Sequence, residues 1–271
     1  MKIKHLVSFA AAACLAASVS AETLPLTFAI QGNAGTGSPN GHVSAPPAPV
    51  EGSGYYYVST YKGTNGVGAL PSVGGMGNPT NGSTLTTGLF NANSGDVLNF
   101  YFNYVTSDGA GYADYAWARL LDSDANQVAL LFTARTTPGG STVPGFGMPA
   151  PGATLTPADV SINAGAPQWS QLGGSSGTCY DTGCGSTGWI LSEFEIGLEG
   201  QYMLQLGVTN WNDTLYDSGL AFAGLKIGDT EIAPPVSAVP LPGAGWLMMG
   251  GLGSLAAMRR RRKAKAEGGS Q

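Results

Sequence analysis

The 271-residue sequence predicts an all-β protein: an antiparallel, jelly-roll-like β-sandwich with an N-terminal signal helix and a C-terminal transmembrane helix. Three observations carry this. First, 42 glycines and 17 prolines against only 11% charged residues favour strands joined by long loops over packed helices. Second, the middle of the chain repeatedly alternates apolar and polar residues, the signature of half-buried strands. Third, an uncharged apolar run stands near each end. Roughly 210 exported residues between those ends suffice for one core.

Residues 1–21 form a secretory signal. Lys2 and Lys4 precede an apolar run from Leu6 to Ala17, and Val19-Ser20-Ala21 offers a cleavage site after Ala21. Cys14 would suit a lipoprotein signal, but Ala11 stands where such signals need Leu.

The exported domain, residues 22–233, begins with the weaker strand candidates Leu24 to Ile30, Tyr55 to Tyr61 and Thr84 to Phe90. From Asp96 to Thr106 the alternation is clear. Leu98, Phe100, Phe102 and Tyr104 share one face, while Asn99, Tyr101 and Asn103 share the other. Strands Tyr115 to Leu121 and Gln127 to Ala134 flank a hairpin loop, Asp122-Ser123-Asp124-Ala125-Asn126. Trp189 to Ile196 follows, with Ile190, Phe194 and Ile196 inward. Gly200 then turns the chain into Tyr202-Leu204-Leu206-Val208 alternation, and Leu220 to Ile227 closes the domain. Eight or nine antiparallel strands suit a jelly-roll-like sandwich. Residues 31–54 and 136–187 read as loops. The second has at most one short helix, capped by Thr156 with Pro157 in its first turn. So long an insertion is functional or disordered as a rule. Trp169, Cys179 and Cys184 within it favour order.

A linker, residues 234–238, leads to the tail. Leu241 to Met258 is 18 residues without a charge. At ~1.5 Å per residue a helix here spans ~27 Å, just short of a ~30 Å hydrocarbon core. Gly243, Gly245, Gly250, Gly251 and Gly253 weaken it, which predicts marginal anchoring in the inner membrane. Trp246 suits the outer interface. Arg259, Arg260, Arg261 and Arg262, with Lys263, hold the other end and the 264–271 tail in the cytoplasm. An ordinary C-terminal anchor is the alternative.

Val239-Pro240-Leu241-Pro242, Trp246-Leu247, the glycine-rich apolar segment and the arginine cluster, residues 239–263, resemble the PEP-CTERM sorting domain of Gram-negative bacteria, in its Val-Pro-Leu-Pro variant. The resemblance implies recognition by an exosortase, a membrane cysteine protease, with transient anchoring and then delivery to the cell surface or medium. Val208 to Asp213, Tyr216 to Phe222 and Phe102 to Asp108 resemble segments of β-sandwich ectodomains common among PEP-CTERM proteins. That second resemblance implies no activity.

Between residues 22 and 258 only Lys62, Arg119, Arg135 and Lys226 are basic against sixteen acids, a net charge of −12. This argues against nucleic acid or anionic lipid as partner. Cys179 and Cys184 read as a disulfide in an exported protein, contributing about 2 kcal/mol by loop closure. A metal pair would need further ligands.

The exported part has one histidine, His42, in a Gly/Pro-rich segment; Ser-His-Asp or Cys-His catalysis would have to use that imidazole, and a zincin or other His-based metal site is ruled out. No glycine-rich phosphate loop occurs. A two-carboxylate glycosidase needs only acids, and Glu193 and Glu195 share a strand face. Calcium is the one cofactor left open. Asp122, Asp124 and Asn126 supply oxygens at alternate positions, though the glycine and distal Glu of an EF-hand are missing and these are also ordinary turn residues. Asp108 with Asp114, or Asp213 with Asp217, offers a second place. Trp117, Trp169, Trp189 and Trp211 offer rings for stacking sugars, or core. The expectation is an exported surface or extracellular-matrix protein that is not an enzyme, with a binding or structural role and an association with exopolysaccharide. A secreted carbohydrate-active hydrolase is the alternative.

Overall fold

The computed structural model describes residues 27–237. The signal helix, Ala21, the transmembrane helix and the sorting residues Val239, Pro240, Leu241, Pro242, Trp246 and Arg259 to Arg262 lie outside the described residues.

Two antiparallel sheets face each other. In the first the order is Phe28–Gln31, Pro79–Thr87, Gly200–Trp211, Tyr115–Asp122, Gln127–Arg135. In the second it is Thr154–Thr156, Ile190–Glu195, Val97–Thr106, Ser218–Ile227, Tyr55–Ser59, Asn33–Gly37. Strands 79–87, 97–106 and 115–122 fall in alternate sheets, so the chain crosses the sandwich repeatedly rather than meandering within a sheet.

The alternation read in the sequence sets the register. Leu98, Phe100, Phe102 and Tyr104 are buried against Ala116, Ala118, Leu120, Leu204, Leu206 and Val208 of the opposite sheet. Phe222 pairs with Phe102 and Leu220 with Tyr104, which keeps one inward phase across neighbouring strands. Phe102 and Phe132 stack across the core at 3.8 Å between ring centroids. A one-residue slip would turn every one of these side chains outward, so the buried face fixes the pairing.

The outer faces are also covered in part. Tyr115, Trp117 and Trp211 pack with Leu70 and Leu130 on the outside of the first sheet. On the second, Trp169 and Leu172 from the long insertion pack on Tyr55, Val105 and Ala221. Trp169 Nε1 donates to the Tyr55 hydroxyl at 2.8 Å. The indole lies against Gly219, where a Cβ would come within 2.5 Å of its Cζ3. Only glycine lets the ring reach the sheet there.

The insertion therefore departs from the loop-with-one-helix expectation. Ser141–Val143 pairs with Val160–Ser161, Asn163–Ala164 with Gly185–Ser186, and the latter with Val97–Thr106. No helix starts at Thr156. Thr154–Thr156 is an edge strand whose buried Leu155 sits opposite Ser192, because its backbone groups find partners on the exposed edge of Ile190–Glu195. The helical piece that does form is a 3-10 segment, Ser170–Ser175. Among the described residues no helix is long and apolar enough to cross a membrane.

Candidate functional site

At one end of the sandwich the inward phase continues beyond the apolar residues into a buried polar layer. Tyr104, Thr106 and Ser218 come from the second sheet. Thr136, Asn210 and Asp114, which precedes Tyr115, come from the first. Ser218 Oγ lies 2.6 Å from Asp114 Oδ2 and 2.8 Å from Thr106 Oγ1. Thr106 Oγ1 accepts from the Asp108 backbone N–H at 3.1 Å, and Asp114 Oδ1 from that of Trp211 at 2.8 Å. The Tyr104 hydroxyl donates to the Asp114 carbonyl at 2.9 Å.

Two carboxyls are thus buried at one place. Asp114 has its pKa pushed well above the usual carboxylate range, first by burial and then by the Asp108 charge. Asp108 is pushed up to about 7, again first by burial, with a further push from Asp213. Asp217 is also raised by burial, opposed by bonds from Ser175 and Thr60. The buried Arg135 forms no salt bridge with them, although the Asp114 charge is among the influences on its pKa. Its guanidinium donates to the carbonyls of Ala113 and Gly74 and lies over the Trp211 ring on the outer side of the sheet. Two buried acceptors near these acids, Asp108 Oδ2 and Asn210 Oδ1, have no hydrogen-bond partner.

Above this layer stand three tyrosines from three loops. Tyr180 contacts Tyr112 edge to face at 5.3 Å and Tyr216 at 5.0 Å between centroids. Tyr180 is 48% exposed, and the adjacent Leu215 is 61% exposed. Gly174, Ser175, Thr178, Leu215 and Tyr216 line a shallow groove beside them. The neighbouring Tyr112 phenol raises the pKa of Tyr180.

Rigid parts hold this rim. Cys179 and Cys184 form a disulfide around Tyr180, with Cα atoms 5.7 Å apart. The Tyr180 N–H donates to the Ser107 carbonyl at 2.9 Å, tying the loop to the end of the Val97–Thr106 strand. Tyr216 has φ of 51°, a left-handed conformation that costs a bulky residue energy and clusters at ligand-binding sites.

The other sequence candidates have structural duties. Asp122 Oδ1 accepts from the N–H groups of Asp124 and Asn126 at 2.9 and 2.8 Å, and its Oδ2 from the Asn126 side chain at 3.1 Å. These bonds close the hairpin loop, and those from Asn126 lower the Asp122 pKa. Asp217 accepts from Thr60 and Ser175, and Asp213 from the Leu215 N–H. Trp117, Trp169 and Trp211 are buried, so they cannot stack a sugar. Trp189 is half-buried and donates to Ser44 Oγ at 3.2 Å. Glu193 and Glu195 sit opposite Asn99 and Val97 on the face turned from the core. His42 accepts from the Gln168 N–H at 3.0 Å. Among the described residues no group of three or more His, Cys, Asp or Glu side chains is arranged to hold a metal ion.

The tyrosine rim was not singled out by sequence reasoning. The available signal was three tyrosines lying in Gly-, Asp- and Ser-rich turns, outside every alternating segment that could claim them for the core.

No protein-family model matches the chain, and no curated protein does. A solved structure with some likeness is the enzymatically active domain of tailspike protein 4 from bacteriophage CBA120. It is 11% identical, with a TM-score of 0.32 over 76% of this chain, and the chain spans 20% of that tailspike's length. A TM-score this low transfers neither fold nor activity.

Proposed function

We propose that this jelly-roll-like domain is the cargo of an exosortase-sorted, PEP-CTERM-type protein. It travels through the inner membrane to the cell surface or matrix and there binds exopolysaccharide through the Tyr112, Tyr180 and Tyr216 rim. The observation that carries the binding reading is that rim: a half-exposed Tyr180 in ring contact with the half-buried Tyr112 and Tyr216, on a loop tied to the sandwich. Sugar rings present apolar C–H faces, and tyrosine supplies both a ring to receive them and a hydroxyl for their polar edge. The net charge of −12 disfavours acidic polymers, so neutral polysaccharide is the class expected. The disulfide supports an extracytoplasmic destination.

Two experiments test this. Intact mass of the protein recovered from wild-type cells is expected to begin at Glu22 and to lack the 243–271 segment, whereas exosortase-deficient cells retain it. Retention of Met1 in both would overturn the export reading. For binding, immobilised neutral polysaccharides are expected to retain the wild-type domain. Tyr180→Ala is expected to weaken that binding on the order of tenfold, as loss of an aromatic contact of about 1.5 kcal/mol would. Its melting temperature should barely change, because the ring is half exposed. Unchanged affinity in Tyr180→Ala and Tyr216→Ala would reject the rim as the site. Sugar release that disappears in Glu193→Gln would replace binding by the hydrolase reading.

A further inference from the structure

We propose that Asp108, Asp114 and Asn210 form an oxygen-lined site for a divalent cation of the calcium type, buried beneath the tyrosine rim. The decisive group is Asn210. Its strand, Gly200–Trp211, runs between Pro79–Thr87 and Tyr115–Asp122, and Thr209 pairs with Gly82 on one side and Tyr115 on the other. The next residue, Asn210, therefore lies between Asn81 and Asp114. Its Nδ2 donates to Asn81 Oδ1 at 3.1 Å. The two ends of an amide point apart, so Oδ1 is turned away from Asn81, whose strand lies on the side opposite that of Asp114. That oxygen is fully buried and has no partner. Turning the amide over would set two carbonyl oxygens against each other at Asn81, so the orientation is chemically determined.

Asp108 brings a further oxygen from the opposite sheet, just beyond the Val97–Thr106 strand. Asp108 is 1% exposed, with Oδ1 accepting from the Gly109 N–H at 2.6 Å and Oδ2 free. Its backbone N–H is joined to Asp114 through the hydroxyls of Thr106 and Ser218, and its carboxyl lies close enough for its charge to raise the Asp114 pKa. Two carboxylates and an amide oxygen, beside two hydroxyls and with no nitrogen or sulfur donor, are the hard ligands that calcium takes in flexible geometry. Zinc would want imidazole or thiolate. A water molecule donating to both free acceptors would satisfy hydrogen bonding. A divalent cation would fill the same acceptors and, by displacing protons, pair with two carboxyls that burial otherwise disfavours in the ionised form. This proposal stands independently of the polysaccharide reading.

The test uses the exported domain after dialysis against chelator, without polysaccharide. Calcium is expected to bind one ion per domain, at or below the ~10⁻⁴–10⁻³ M range of extracellular modules, and to raise the melting temperature. Asp108→Asn should weaken binding at least tenfold, while Asp122→Asn at the hairpin loop should leave it intact. Should Asp108→Asn not fold, Asn210→Asp, which adds a negative ligand, is expected to tighten binding several-fold. No saturable heat or melting shift at about 5 mM calcium, well above that range, would overturn the proposal. So would binding lost in Asp122→Asn but kept in Asp108→Asn.

Discussion

Trp169→Ala is expected to destabilise the domain by about 3–5 kcal/mol, the usual cost of deleting a fully buried large aromatic side chain. Trp169 is the anchor by which the long insertion grips the outer face of the second sheet. Its removal leaves a void against Gly219 and takes the Nε1–H donor from the Tyr55 hydroxyl. The Trp169 backbone N–H, which donates to Ser176 Oγ at 3.0 Å, is kept in the variant, so the loss reports the side chain alone. Urea unfolding followed by fluorescence and far-UV circular dichroism measures the loss. A cost under about 1 kcal/mol, the level of an ordinary surface change, would mean that the insertion is not docked as described. Because Tyr180 is carried on the same insertion, loosening it should also weaken polysaccharide binding.

Chelator-treated protein is expected to become more stable as pH falls from 8 to 5, against the usual acid trend. Asp108 in the folded state titrates at about 7, well above its ordinary 3.8, because burial and the Asp213 charge disfavour ionisation. A group raised on folding contributes stability that is fully present below its unfolded pKa and is lost as pH rises through its folded one. The window for Asp108 thus runs from about 4 to about 7. Asp114, raised by burial and by Asp108, acts in the same direction. Melting temperatures from pH 5 to 8 measure the slope. Asp108→Asn, which cannot ionise, should flatten it and melt several degrees above the wild type at pH 8. A wild-type melting temperature that falls between pH 8 and 6, or a slope kept in Asp108→Asn, would show that Asp108 ionises freely in the fold.

Much of the sandwich was legible because alternation reports burial directly. The face carrying Leu98, Phe100, Phe102 and Tyr104 is the core face, and the hairpin around Asp122 to Asn126 closes where the turn residues stand. The disulfide was legible from two cysteines, Cys179 and Cys184, five positions apart behind a signal-like N-terminal sequence. The insertion was less so. Its strands are two or three residues long and pair with distant partners, so no local period marks them. Leu155 is a strand residue only because Ile190–Glu195 offers it an edge. The four tryptophans among the described residues illustrate the same limit. Composition says that they are aromatic, but only packing says that three of them are buried while Tyr180 is not.

What the sequence determined by itself was whatever depends on near neighbours or composition: strand periodicity, the turn chemistry of Asp122, the acidity of residues 22–258, and the apolar and arginine-rich pattern of the ends. What the tertiary structure alone decided was which groups from distant segments meet. Asp108, Asp114 and Asn210 are separated by up to 102 positions, and Tyr112, Tyr180 and Tyr216 by up to 104. They come together because the chain crosses between two sheets at successive strands, which delivers loops far apart in sequence to the same end of the sandwich. Solvent exclusion there then changes the chemistry of ordinary aspartates, and neither the crossing nor the exclusion is written in any local stretch of residues.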